Sequence, residues 1–213
     1  MGRMQINKLR TFIGSNRFHV FLVCFILILS IALRLYKFIE SQGVQALDDI
    51  SRDYIVANHI VTYGEFPING PDGLLGTELV SPLYFYFLSA PLLVYNDIKF
   101  LSLFNVFLQI LALFSVYTLA RTLFGKGTGL IALTVFGLSN AIIWQSYITW
   151  QPHIMQPFII LSYLLLALGY KKKSTPLLIW SIAVFLVSIT LHYSVLAMVP
   201  AYLVLLILAF RQA

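Results

Sequence analysis

Charge is what this sequence has least of. Only 10% of its 213 residues are Asp, Glu, Lys or Arg, while 60% are hydrophobic. Soluble domains are about a quarter charged, so the composition excludes an ordinary soluble domain and points to an integral membrane protein. There is one cysteine, Cys24, inside an apolar run, which excludes a disulfide framework. A Gly-rich phosphate loop, a paired-Cys metal site and an HExxH pattern are all missing. The histidines, His19, His59, His153 and His192, are scattered, and no metal site is assigned. No internal repeat or low-complexity tract occurs. Carboxylates are absent from Ile98 to the end: all eight acids lie between Glu40 and Asp97, with Arg52 the sole basic residue among them. Any carboxylate base must come from that window.

What is present follows a simple order. Residues 1–17 hold Arg3, Lys8, Arg10 and Arg17 and no acid, a cytoplasmic leader by the tendency of Lys and Arg to stay inside. The same rule accounts for the net charge of +6 without a nucleic-acid partner. Residues 18–36 form the first transmembrane helix; a signal peptide is the competing reading, but the run is too long and lacks a small-residue cleavage site. Residues 37–99 are a long extracytoplasmic loop. Within it Leu47, Ile50, Tyr54, Ala57 and Val61 recur at helical spacing, predicting an amphipathic helix over 47–64. Gly64 ends it. Such a helix lies flat on the bilayer, apolar face down, with Asp49, Arg52 and Asp53 toward water.

The segment 81–96 is apolar but short of the ~20 residues a spanning helix needs, and contains Pro82 and Pro91. It reads as interfacial or re-entrant. Five further helices then fill 100–210: Phe100–Leu119, Gly129–Tyr147, Pro152–Tyr170, Pro176–Leu191 and Tyr193–Phe210. If 81–96 does not cross, the basic clusters at Arg121 and Lys126, at Lys171 to Lys173 and at Arg211 all fall inside, with Asp49, Gln151, His153 and His192 outside. The positive-inside rule favours that arrangement. The expected fold is an all-α polytopic membrane protein of about six transmembrane helices plus juxtamembrane helices in the first outer loop. The chain ends at Ala213 right after an apolar run, which suggests a fragment of a longer protein.

The candidate chemistry sits on the acidic helix. Asp49 and Asp53 are one turn apart, with Arg52 beside them. Partial burial tunes a carboxylate's pKa, and a neighbouring Arg keeps it ionised, which suits a general base; a solvated face carrying an ion pair is the plain alternative. Tyr84 and Tyr86 are either interfacial aromatics or the border of a headgroup pocket with Glu78. Gln151 and His153 fall at an outer helix junction that Pro152 explains equally well as a helix start. His192 and Tyr193 interrupt an apolar stretch, where polar groups face an interior or a cavity; His192 makes either a helix contact or a phosphate contact.

In this order these pieces resemble the GT-C superfamily of polytopic glycosyltransferases, in the branch of protein O-mannosyltransferases and aminoarabinose transferases. Those have one helix and then a long loop opening on an acidic motif, to which LDDISRDYIVANHIVTYGEFPINGP is similar with Asp49 in register and Asp48 its neighbour. SPLYFYFLSAPLL is similar to the family's Pro-Leu-Tyr-Tyr-Tyr segment. SYITWQPHIMQPF and LHYSVLAMVP resemble later motifs, and the likeness runs over about residues 30 to 210. It implies transfer of a sugar from a polyprenyl-phosphate donor to a hydroxyl of a lipid, glycan or protein acceptor, on the outer face of the plasma membrane, with inversion. Asp49 would be the base, and Arg52 and His192 would steady charge; the donor is a substrate, no cofactor is implied, and a divalent metal is left open. Two departures stand out. Gln151 and His153 occupy a place where many relatives carry a second acid, and family members are roughly twice as long. The rival readings are a polytopic transporter and a non-catalytic membrane scaffold. A transporter would show ionisable or broken-helix features near the midplane, and the runs from Phe100 onward read as having none apart from scattered Asn and Gln such as Asn105 and Gln109.

Overall fold

The computed structural model describes residues 16–41, 48–71 and 81–212. No strand occurs among them. The elements in chain order are α1 (Asn16–Glu40), α2 (Asp48–Tyr63), α3 (Leu83–Leu92), α4 (Ile98–Phe124), α5 (Lys126–Leu138), α6 (Asn140–Ser146), α7 (Gln151–Lys172), α8 (Thr175–Leu191), a 3-10 turn (Tyr193–Met198) and α9 (Val199–Phe210). Four helical stretches are long and apolar enough to cross a membrane: Asn16–Glu40, Ile98–Phe124, Gln151–Lys172 and Tyr193–Phe210. The bent pair α5–α6 raises that to five if it counts as one span. At 1.5 Å per residue, α1 is about 37 Å long, enough for the ~30 Å hydrocarbon layer. The outward faces are apolar as well: Phe21, Phe25 and Ile28 on α1 and Val204, Leu205 and Ile207 on α9 are exposed, as expected where lipid is the solvent.

Helices α4 and α7 run side by side in one direction, their starts joined at Ser102 and Thr149 and their ends at Thr122 and Lys171, so the bundle has two ends. One carries Arg121, Lys126 and Lys171: Lys126 Nζ donates to Asn16 Oδ1 at 2.7 Å, and Lys171 Nζ donates to the Thr122 carbonyl. The other carries α2, α3, the α6–α7 junction and His192. We refer to these as the basic and the acidic end.

At the acidic end α2 and α3 do not stand apart from the bundle. Ala57 and Ile60 of α2, with Tyr84, Phe85, Leu88 and Leu92 of α3, form one buried cluster with Leu101 and Leu108 of α4, Ile154 of α7 and Leu191 of α8. The apolar face of α2 is therefore covered by protein, not by the bilayer surface. The helical spacing read from the sequence is observed, with Ile50 and Ala57 buried and Tyr54 and Val61 packed at the margin; Leu47 lies outside the described residues. Helix α2 stops at Gly64, whose φ of 69° is left-handed and whose N–H returns to the Ile60 carbonyl at 3.0 Å. Helix α3 has 10 residues, about half a crossing at 1.5 Å per residue, in keeping with a short interfacial or re-entrant segment.

The expected straight helix at 129–147 is replaced by two helices that meet at Ser139 with a bend of 63°. The run from Phe100 onward thus contains a broken helix that its apolar sequence did not announce. The break frees the last carbonyls of α5, and Arg34 of α1 takes them. Its Nη1 donates to Gly137 O at 2.9 Å and to Ser30 O at 3.0 Å, and its Nη2 to Phe136 O at 3.4 Å. A cation at a helix C-terminus also opposes the negative end of the macrodipole. The guanidinium is fully buried, and no carboxylate among the described residues pairs with it. Although it lies near the helix end, where a long basic side chain can snorkel to the interface, Arg34 points inward.

Gly137 allows the approach. A Cβ there would lie 2.4 Å from Ser30 Oγ and 3.4 Å from Leu113 Cδ2. Gly137→Val should therefore lower the unfolding temperature of detergent-purified protein, an overpacking cost of about 1–3 kcal/mol. Gly127→Ala, where a Cβ meets nothing within 4 Å, should leave it unchanged or raise it.

Candidate active site on the acidic helix

The site is assembled from α4 outward. Ser102, Asn105 and Gln109 recur at i, i+3 and i+7, which places them on one face of α4. All three are buried. Ser102 and Thr149 hydroxyls are 3.3 Å apart. Asn105 Nδ2 donates to the carbonyls of Gln145 at 3.0 Å and Ile148 at 2.9 Å. Gln109 Nε2 donates to the His153 carbonyl at 2.8 Å. The irregular stretch between α6 and α7 is thus tied to α4, because backbone groups inside a bundle need partners that a broken helix no longer supplies. This fixes where α7 begins, and with it Gln151.

Helix α2 brings its charges to that point. Asp53 is 1% exposed. Its Oδ1 accepts from Arg52 Nε at 2.9 Å and from Nη2 at 2.8 Å. Arg52 Nη1 also meets Asp49 Oδ1 at 3.1 Å, with the Asp49 side chain 52% exposed. One guanidinium therefore links a sealed carboxylate to an open one. Asp53 Oδ2 and the Tyr84 hydroxyl are buried without a hydrogen bond among the described residues, and both lie in the same electrostatic neighbourhood. Burial lifts Asp53 from 3.8 to about 6, against the hydrogen bonds and charge of Arg52, which pull it down; Asp49 adds to the rise and the Gln151 side chain opposes it. Burial likewise pushes the Tyr84 phenol well above its ordinary value, and the Asp53 charge adds to that.

The structure brings together Asp49, Arg52, Asp53, Tyr84 and Gln151. Two of these depart from expectation. Asp53 faces the protein interior, not water, since it shares the inner side of α2 with Ile50, Ala57 and Ile60. Tyr84 is no interfacial aromatic: at 0% exposure it lies inside the cluster of α2, α3 and α4. Both are therefore closed to solvent in this conformation. Asp48 opens α2, but its side chain lies outside the described residues, as does Glu78 entirely.

The remaining candidates have other partners. Tyr86 donates to the Pro67 carbonyl at 2.5 Å and meets Phe66 edge-on at 5.6 Å, pinning the loop after α2. His153 is 5% exposed; its Nδ1 lies 3.1 Å from the Ile148 carbonyl, and its ring is flanked by Trp144 and Trp150 at 5.8 and 5.4 Å. His192 Nδ1 pairs with Ser194 Oγ at 2.7 Å, and its ring stacks on Tyr193 at 4.8 Å. No group of three or more His, Cys, Asp or Glu among the described residues is placed to hold a metal ion.

The arrangement yields one open carboxylate, one buried carboxyl and a guanidinium between them. For Asp53 the folded value near 6 lies above the unfolded 3.8. Its contribution to stability is complete below pH 3.8 and is lost as pH rises through about 6. A protonated-carboxyl C=O band titrating with a midpoint near 6 should appear in infrared difference spectra and vanish in Asp53→Asn. The same variant should flatten the fall in stability between pH 4 and 7, which amounts to about 3 kcal/mol for a shift of this size.

Compared with models of known families, with curated proteins and with solved structures, the chain matches nothing, so a functional reading has to be carried by this geometry and by the sequence.

Proposed function

We propose that this chain is the membrane domain, or part of it, of a glycosyltransferase of the GT-C kind. It would move a sugar from a polyprenyl-phosphate donor to an acceptor hydroxyl on the extracytoplasmic face of the plasma membrane. The observation that carries this reading is the Asp49–Arg52–Asp53 chain, held on a helix that packs on the bundle at the end opposite the basic clusters. Asp49 is the base in this scheme. Asp53 has a pKa nearer neutrality, which favours proton transfer, but reach decides first, and a carboxylate 1% exposed meets no acceptor. Asp49 takes the proton of the acceptor hydroxyl, the oxygen bonds to the anomeric carbon from the face opposite the leaving group, and the C–O bond to the lipid phosphate breaks with its electron pair. Arg52, 3.1 Å from Asp49, orients that carboxylate, and Asp53 fixes Arg52.

In this proposal the amino terminus is cytoplasmic, α3 does not cross, and six spans arise by counting α5–α6 as one and including α8. The positive-inside rule supports that topology.

A transporter is the second reading, and one observation favours it: a buried, uncompensated Arg34 at a broken helix. Intramembrane ionisable residues and discontinuous helices are features of transport sites. The geometry weighs against it, because Arg34 is already engaged with three carbonyls and sits six residues from the end of α1, away from the midplane.

Asp49→Asn should reduce sugar transfer from a polyprenyl-linked donor by about 10²–10⁴-fold in native membranes, with Asp49→Glu retaining part of it. Unchanged transfer would remove the base; solute uptake that depends on Arg34 and ignores Asp49 would replace the enzyme with a transporter. In a Cys24→Ser background, a cysteine at Gly125 should react with impermeant reagent only from the cytoplasmic side, and one at Asn69 only from outside.

A further inference from the structure

A second polar and aromatic feature lies at the acidic end, on the far side of Tyr147, which packs with Ile50 of α2. A cavity of about 240 Å³ opens between the last turn of α1 and the short helix α6. Lys37, Glu40 and Ser41 line it from α1, Asn140 and Trp144 from α6, and Tyr147 from the turn that follows. Lys37 and Glu40 are paired across one helical turn. The ammonium has three donors and the carboxylate two acceptor oxygens, so the pair keeps hydrogen-bonding capacity toward the cavity. The Asn140 amide adds a donor and an acceptor.

The aromatic members are held in place from behind. Trp144 is 41% exposed and meets His153 edge-on at 5.8 Å and 72°, and His153 is itself fixed to the Ile148 carbonyl. Tyr147 is 6% exposed and shares a buried cluster with Phe38 and with Ile50, the residue after Asp49. Tyr147 is thus common to the cavity wall and to the packing that seats the acidic helix.

The lining selects among ligands. Its two charges cancel, so it offers no net attraction for an inorganic anion. Its polar groups disfavour a bare acyl chain, which would strip them of water without replacing their partners. Opposed donors and acceptors, an amide and two aromatic rings suit a small neutral molecule with hydroxyls at its edge and C–H groups on its faces. The small volume, below the usual range for drug-sized ligands, suits a single ring. We propose that this cavity binds one monosaccharide unit of a glycan, whose hydroxyl edge meets the Lys37–Glu40 pair and Asn140 while a C–H face lies against Trp144. This rests on the transferase reading and deepens it, naming a glycan as the acceptor class.

The test uses the full chain purified in detergent and a panel of methyl hexopyranosides, with binding followed by saturation-transfer NMR and by tryptophan fluorescence. At least one glycoside should bind saturably. Trp144→Leu and Lys37→Met, each checked for an unchanged unfolding temperature, should weaken it at least tenfold. Trp180→Leu, at an exposed position on α8, should not. Asp49→Asn should retain the binding while losing transfer. The site is overturned if no glycoside binds, if binding ignores both cavity variants, or if glycerol phosphate occupies the cavity in place of the sugars. Failure of the site with Asp49-dependent transfer intact would leave the enzyme standing. Glycoside binding without any transfer would leave the site and remove the enzyme.

Discussion

The acidic end is organised by the burial of one carboxylate. Asp53 stands where helical spacing demands an apolar residue, between Ile50 and Ala57 on the inner side of α2. Placing a charge there is costly unless it is paired. The Arg52 side chain supplies the pairing by reaching back to Asp53 Oδ1 with two donors, and that reach brings its third nitrogen to Asp49. Asp49 thus sits at a defined point on the surface because of a residue hidden a turn away. A leucine at position 53 would continue the apolar side of α2 but would remove the partner that holds two of the three Arg52 nitrogens, so Asp53 serves the charge array as well as the fold.

A parallel device holds the other half of this end. The span begun by α5 breaks at Ser139, and a break inside a bundle exposes carbonyls that lipid cannot satisfy. Arg34 answers for those before the break and Asn105 for those after it. Between them they stabilise a turn that carries Trp144, Tyr147 and Gln151 toward the acidic helix. The broken helix thus has a local use: it projects polar and aromatic side chains to one end, where a straight helix would run past.

Much of this was legible in the residues. The segregation of all eight acids into one window directed attention to α2, and the spacing of Ile50, Ala57 and Val61 marked its inner side. The shortness and prolines of 81–96 described a helix of 10 residues. Two things were not legible. Asp53 falls in register with Asp49 and Arg52, and a helical wheel cannot say how wide the buried sector is; that depends on α3, whose Tyr84 closes over it. Ser139 carries no proline, so nothing in the apolar run 129–147 announced a bend of 63°. The polar stripe Ser102, Asn105 and Gln109 was visible at helical spacing and could have been read as a strap for a broken partner, but stripes of that kind equally join straight helices.

The sequence by itself determined that the chain is helical, belongs in a membrane and keeps its carboxylates in one short stretch, because composition and periodicity act through solvent partition and need no knowledge of neighbours. Only the tertiary structure decided which carboxylate is sealed and which is open, where a span breaks, and which side chains share a cavity. Those outcomes depend on how α3, α4 and α7 close around α2, and burial is a property of surroundings that no single residue carries.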